Sequence, residues 1–110
     1  MARTTLAVQS ISRDGLEATF SAAPSDGVSF ANDGRVLLEV YNGGGGSINV
    51  TVQTPNTVDG LAIADRVVAV GAGERYHIGL FDPDDYNQSD RTVYVDFSGV
   101  IDVVVAALKV

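Results

Sequence analysis

The chain contains no cysteine and no tryptophan, a single histidine, three prolines, and seven Lys and Arg against fourteen Asp and Glu. Without cysteine there are no disulfides and no thiolate metal sites, so zinc ribbons and thiol enzymes are excluded and stability must come from burial and backbone pairing. A formal net charge of -7 argues against nucleic acid as a partner, because affinity for a phosphate backbone needs clustered cations. A protein or a neutral surface is the expected partner. Long apolar runs are missing as well, and no membrane span is expected. Near the start, Leu6 and Val8 are soon followed by Gln9, Ser10, Ser12, Arg13 and Asp14, which leaves no room for the apolar core of a signal peptide. The chain is expected to be made in a cytoplasm and not exported by the general route.

What is present is an apolar, lightly charged sequence: 45% hydrophobic and 19% charged over 110 residues. That composition suits one soluble domain of two packed layers. The apolar pattern has period two, the signature of half-buried strands. Ile48, Val50 and Val52 alternate with Asn49, Thr51 and Gln53, and Val93, Val95 and Phe97 alternate with Thr92, Tyr94, Asp96 and Ser98. Segments 36–41 and 103–110 are apolar on both faces, as in strands covered on two sides or lying in a contact between subunits. Segments 66–70, 74–80 and 4–11 complete the set, with a further extended piece at 16–20. Asp-Gly pairs at 14–15, 26–27, 33–34 and 59–60, and Asn42-Gly43 ahead of three more glycines, supply the positive backbone angles of turns. No helix longer than a turn or two is expected. The fold class is therefore all-β: a single-domain β-sandwich over residues 1–110, immunoglobulin-like or jelly-roll, of about seven or eight short antiparallel strands, with residues 1–5 as an N-terminal arm.

Few constellations carry chemistry. Glycines 43–46 read as a flexible hairpin loop; a phosphate-cradling loop would need a following Lys-Ser or Lys-Thr and a helix, and both are missing. His77 has no activated nucleophile nearby in sequence and reads as a surface or edge-strand residue. The acidic stretch 82–90 misses the calcium-loop pattern at its sixth and twelfth places, which leaves a solvated turn begun by Asp82-Pro83. No catalytic residue, cofactor or metal ligand is assigned. The 103–110 strand is either a central core strand or part of an assembly interface, since an exposed apolar edge invites aggregation.

Several words in the sequence occur together: Gln53-Thr54-Pro55, the stretch Thr57-Val58-Asp59-Gly60-Leu61-Ala62-Ile63-Ala64-Asp65-Arg66, Tyr86-Asn87-Gln88-Ser89, Val93-Tyr94-Val95-Asp96-Phe97-Ser98 and Val105-Ala106-Ala107-Leu108. On these words the chain resembles a family of small structural proteins from the head-morphogenesis region of tailed bacteriophages and prophages, of the capsid decoration or cement type. The resemblance implies a non-enzymatic virion protein, made in the bacterial cytoplasm, that binds the assembled shell of the major capsid protein and stabilises it as a small oligomer, a trimer being the family type. Head-tail joining or tail components, and a receptor- or glycan-binding module, are the alternatives. The expected contact elements are the arm, with Arg3, Thr4 and Thr5, and the stretch carrying Asp59, Leu61, Ile63 and Arg66. The same stretch would also serve merely to order an inter-strand loop, with Asp59 or Asp65 paired to Arg66.

Overall fold

In the computed structural model, which describes residues 3–55, 57–62 and 64–110, alternation becomes burial. In chain order the strands are β1 (Thr4–Thr5), β2 (Val8–Ser10), β3 (Ser21–Ala22), β4 (Val28–Ala31), β5 (Val36–Asn42), β6 (Ile48–Val52), β7 (Thr57–Val58), β8 (Leu61–Ala62), β9 (Arg66–Val70), β10 (Arg75–Ile78), β11 (Thr92–Phe97) and β12 (Val103–Lys109). A four-residue helix, α1 (Pro83–Tyr86), precedes β11. Among the described residues no helix is long and apolar enough to cross a membrane.

One sheet has the order β1-β4-β11-β6-β9 and the other β10-β5-β12-β2, with β3 also paired to β12. β6 and β11 meet antiparallel with Val52 opposite Val95 and Val50 opposite Phe97, so their apolar positions lie on one face. In the second sheet β5 and β12 run antiparallel over seven residues, from Asn42 opposite Val103 to Val36 opposite Lys109. Their inward residues Leu38, Val40, Val105 and Ala107 share one core cluster with Val28, Phe30, Val50, Val52, Val93 and Val95 of the first sheet. Each fully buried side chain of this size contributes about 1.5–3 kcal/mol, so this shared layer dominates stability.

The 103–110 run is thus covered within the chain by β5, β2 and β3. Four expectations require correction. The chain forms twelve strand segments among the described residues, not seven or eight, because turns cut the sequence into pieces as short as two residues. The sheets are mixed and not purely antiparallel: β1 lies parallel to β4, and β2 parallel to β12. The 4–11 segment is not one strand, since it leaves the first sheet after Thr5, buries Leu6 between the layers, and joins the second sheet at Val8. The extended piece expected at 16–20 is instead β3, at Ser21–Ala22.

Loop 79–91 is pinned at one end of the domain. The Asn32 side-chain amide donates to the Phe81 carbonyl at 3.1 Å and to Asn87 Oδ1 at 2.7 Å, while Asn87 Nδ2 donates to the Asn32 carbonyl at 2.9 Å. Phe81 packs against Phe30 and Tyr86, with ring centroids 5.9 and 5.2 Å away.

Candidate interaction site

The stretch expected to make contacts builds a separate two-stranded ribbon. β7 and β8 pair with Thr57 opposite Ala62 and Val58 opposite Leu61. Asp59 (φ 53°) and Gly60 (φ 77°) form the turn. Two successive positive φ values match the twist of a tight hairpin, and the Asp-Gly pair tolerates them. Leu61, directly after that turn, is 71% exposed. The base of the ribbon is fastened by Asp65, whose Oδ1 accepts from the Thr54 backbone N–H at 3.0 Å and its hydroxyl at 3.2 Å. Asp65 therefore orders this loop through Thr54. Ile63 lies outside the described residues.

Arg66 opens β9, exposed at the edge of the first sheet. It borders two adjoining clefts. One, of about 630 Å³, lies among Thr54, Asp65, Val67, Asp85 and Tyr86; the other, of about 330 Å³, runs between β9 and β10 beside Tyr76, Leu80 and Phe81. Val67, Tyr76 and Leu80 are exposed apolar residues along these walls.

The arm is placed differently. Thr4 and Thr5 pair with Val28 and Ser29, and Arg3 is held at three points. Its Nη1 donates to the Val95 carbonyl at 3.1 Å, lies 2.6 Å from Asp96 Oδ1, and its guanidinium sits 4.6 Å from the centroid of the Tyr94 ring. Gly27 (φ 83°) makes room for it, since a Cβ there would meet Arg3 and lie 2.6 Å from the Val95 carbonyl. Burial pushes the Asp96 carboxyl up, but hydrogen bonds from Arg3 and Gln53 and the Arg3 charge outweigh it and hold the group below its ordinary value. From Arg3 onward the arm is docked on its own chain. β1 and β9 are opposite edges of the sheet, so the structure does not bring Arg3, Thr4 and Thr5 together with Asp59, Leu61 and Arg66.

His77 sits on edge strand β10, opposite Glu39. The buried Glu39 carboxylate is 2.7 Å from Arg75 Nη1 and 3.5 Å from His77 Nε2. Arg75 in turn lies over the rings of Phe20 and Tyr41. This cluster neutralises a carboxylate on the outer face of the second sheet. Three of the four tyrosines are engaged inside the chain: Tyr41 and Tyr94 under guanidinium groups, Tyr86 against Phe81. In the acidic loop, Asp82 caps α1 by accepting from the Asp84 N–H at 2.9 Å, and Asp90 accepts from the Thr92 hydroxyl at 2.6 Å. Those oxygens serve local turns.

Sequence reasoning overlooked Ile101, which is 81% exposed in the turn between β11 and β12. Its neighbours Val100 and Val103 to Val105 are apolar, so it reads as part of that run and not as an exposed turn residue. It also overlooked Val67 and the exposed edge of β9, since segment 66–70 reads only as one more strand.

Comparison with protein-family models, with curated proteins and with solved structures finds no match for this chain.

Proposed function

We propose that this protein is a non-enzymatic structural component of a tailed-phage virion that binds the assembled major capsid protein shell and stabilises it, with the β7–β8 ribbon as its contact element. The observation that carries this reading is Leu61: a large apolar side chain, 71% exposed, beside the tight Asp59-Gly60 turn of a ribbon tied at its base by the Thr54–Asp65 hydrogen bonds. An apolar residue presented on a stiff element loses little conformational entropy when it is buried by a partner. The partner is taken from the resemblance of the sequence words to phage head proteins.

The strand connectivity supports the jelly-roll form of the fold. Among the eight successive strands β4 to β11, the first pairs with the last, the last with the third, the third with the sixth, and the second with the seventh. The fourth and fifth form the β7–β8 ribbon. These pairings agree with the double Greek-key order of jelly rolls, except that the β7–β8 ribbon stands apart from β10 as a sheet of its own; β12, β2 and β3 extend the second sheet beyond β5. The fold alone does not assign the function.

Binding that favours the assembled shell stabilises it by mass action, and many copies add avidity. Expanded capsids sedimented with the purified protein should carry it at fixed stoichiometry, and Leu61→Asp should abolish that binding while leaving the fold intact. Few copies per particle would point to a head-tail joining or tail role. No binding, together with unchanged capsid stability when the protein is deleted, overturns the proposal.

A further inference from the structure

Strand β9 leaves the edge of the first sheet open. The Ser98 N–H donates to the Asn49 carbonyl at 2.9 Å, so Asn49 and Thr51 direct their backbone groups toward β11, while Ile48, Val50 and Val52 direct theirs toward β9. Their partners Val70, Val68 and Arg66 spend their N–H and C=O groups on this ladder. By the alternation of an antiparallel pair, the N–H and C=O groups of Val67 and Ala69 point away from the sheet. Among the described residues nothing pairs with them. Val67 is 55% exposed and Ala69 is exposed beside it. The strand Arg-Val-Val-Ala-Val contains no proline and no lysine, and it is five residues long. The opposite edge, β1, is only two residues long and is latched by Arg3. Exposed edges are ordinarily blunted by such means; the β1 edge has them and the β9 edge does not.

We infer that β9 is a pairing edge for a second copy of this chain, joined antiparallel about a twofold axis at Val68 to make one continuous sheet across the two copies. The strand is self-complementary in that register. Val67 falls opposite the partner's Ala69 and Ala69 opposite the partner's Val67, so the four unpaired backbone groups of each strand meet their complements. The outer-face neighbours are then apolar on both sides. Arg66, which makes no ion pair among the described residues, falls opposite the partner's Val70. It reaches the end of that strand, where the partner's Glu74 holds its carboxylate 2.7 Å from the Gly71 N–H. Opposite charges therefore meet at both ends of the pairing. Asp65, next in line, has its carboxylate turned to Thr54.

The inference goes beyond the capsid reading and does not rest on it. Sedimentation equilibrium across micromolar concentrations should give twice the 11.5 kDa mass of one chain, and the Val67 and Ala69 amides should exchange slowly in the dimer and rapidly on dilution. Val67→Lys and Ala69→Pro should each give a monomer with an unchanged circular dichroism spectrum, because both alter only the outward side of the strand. Ile101→Lys, at an exposed turn elsewhere, should remain dimeric. A wild-type monomer at every concentration, a dimer that survives Val67→Lys, or a dimer in which the Val67 and Ala69 amides exchange freely would each overturn it.

Discussion

Arg3 Nη1 lies 2.6 Å from Asp96 Oδ1 while the same guanidinium covers the Tyr94 ring, so one side chain fixes the start of the chain to the middle of β11. Removing it loses a partly screened ion pair, a cation–π contact and a hydrogen bond to the Val95 carbonyl. Arg3→Ala should cost about 1–2 kcal/mol of unfolding free energy in urea denaturation, and Thr4 and Thr5 should lose amide protection first.

The same pair sets part of the acid response. Asp96 is held below its ordinary value by Arg3 and Gln53 despite burial, Asp33 chiefly by its hydrogen bond from Lys109, and Asp90 chiefly by the Thr92 hydroxyl. A carboxyl depressed in the folded state contributes stability that is complete above the unfolded value, about 3.9, and is lost as pH falls through the folded one. The melting temperature should therefore hold steady from neutral pH to about 4 and fall below it. Asp96→Asn should make that fall shallower, and an equally steep fall in the variant would remove Asp96 from the account.

Within the 43–46 loop the glycines should not be equivalent. A Cβ on Gly44 would lie 2.8 Å from the Ile101 carbonyl, whereas one on Gly45 meets nothing within 4 Å. Gly44→Ala should cost roughly 1–3 kcal/mol through forced displacement of the neighbouring turn; Gly45→Ala should be neutral or slightly stabilising because it restricts the unfolded chain. Thermal melts of the two variants read the difference directly.

Asn42 is 1% exposed, donates to the Gly46 and Val70 carbonyls at 2.8 and 3.1 Å, and accepts from the Gly44 N–H at 3.0 Å. Asn42→Ala strips partners from groups at the junction of both sheets and should cost about 2–4 kcal/mol. Leu38→Ala, a pure cavity in the shared core, should cost about 2–5 kcal/mol. Chemical denaturation of the two variants gives both numbers.

Much of the fold was legible where burial follows sequence period. Ile48, Val50 and Val52 of β6 and Val93 and Val95 of β11 declared one dry face each, and 36–41 and 103–110, apolar on both faces, turned out to be adjacent strands of one sheet. What stayed hidden has physical causes. β4 offers only Val28 and Phe30 as a pattern, too short to register against its surroundings. The division of 4–11 depends on which edges lie open after the rest has folded, and no local signal at Leu6 announces it. Of the contact elements, the Asp59-Gly60 turn was readable because its chemistry is local. The docking of Arg3 was not, because its partners Tyr94, Val95 and Asp96 lie more than ninety residues away.

The passage of residues 4–10 from one sheet to the other has a temporal consequence. β2 aligns with β12, Val8 beside Ala107 and Ser10 beside Lys109, and β12 is also the long neighbour of β5. A ribosome releases β2 and β5 well before β12 exists, so during synthesis both wait with one flank bare. The second sheet can close only once residues 103–109 have emerged. Closure of the second sheet therefore waits on β12, and a product stalled or truncated before it would expose the interior that β12 covers.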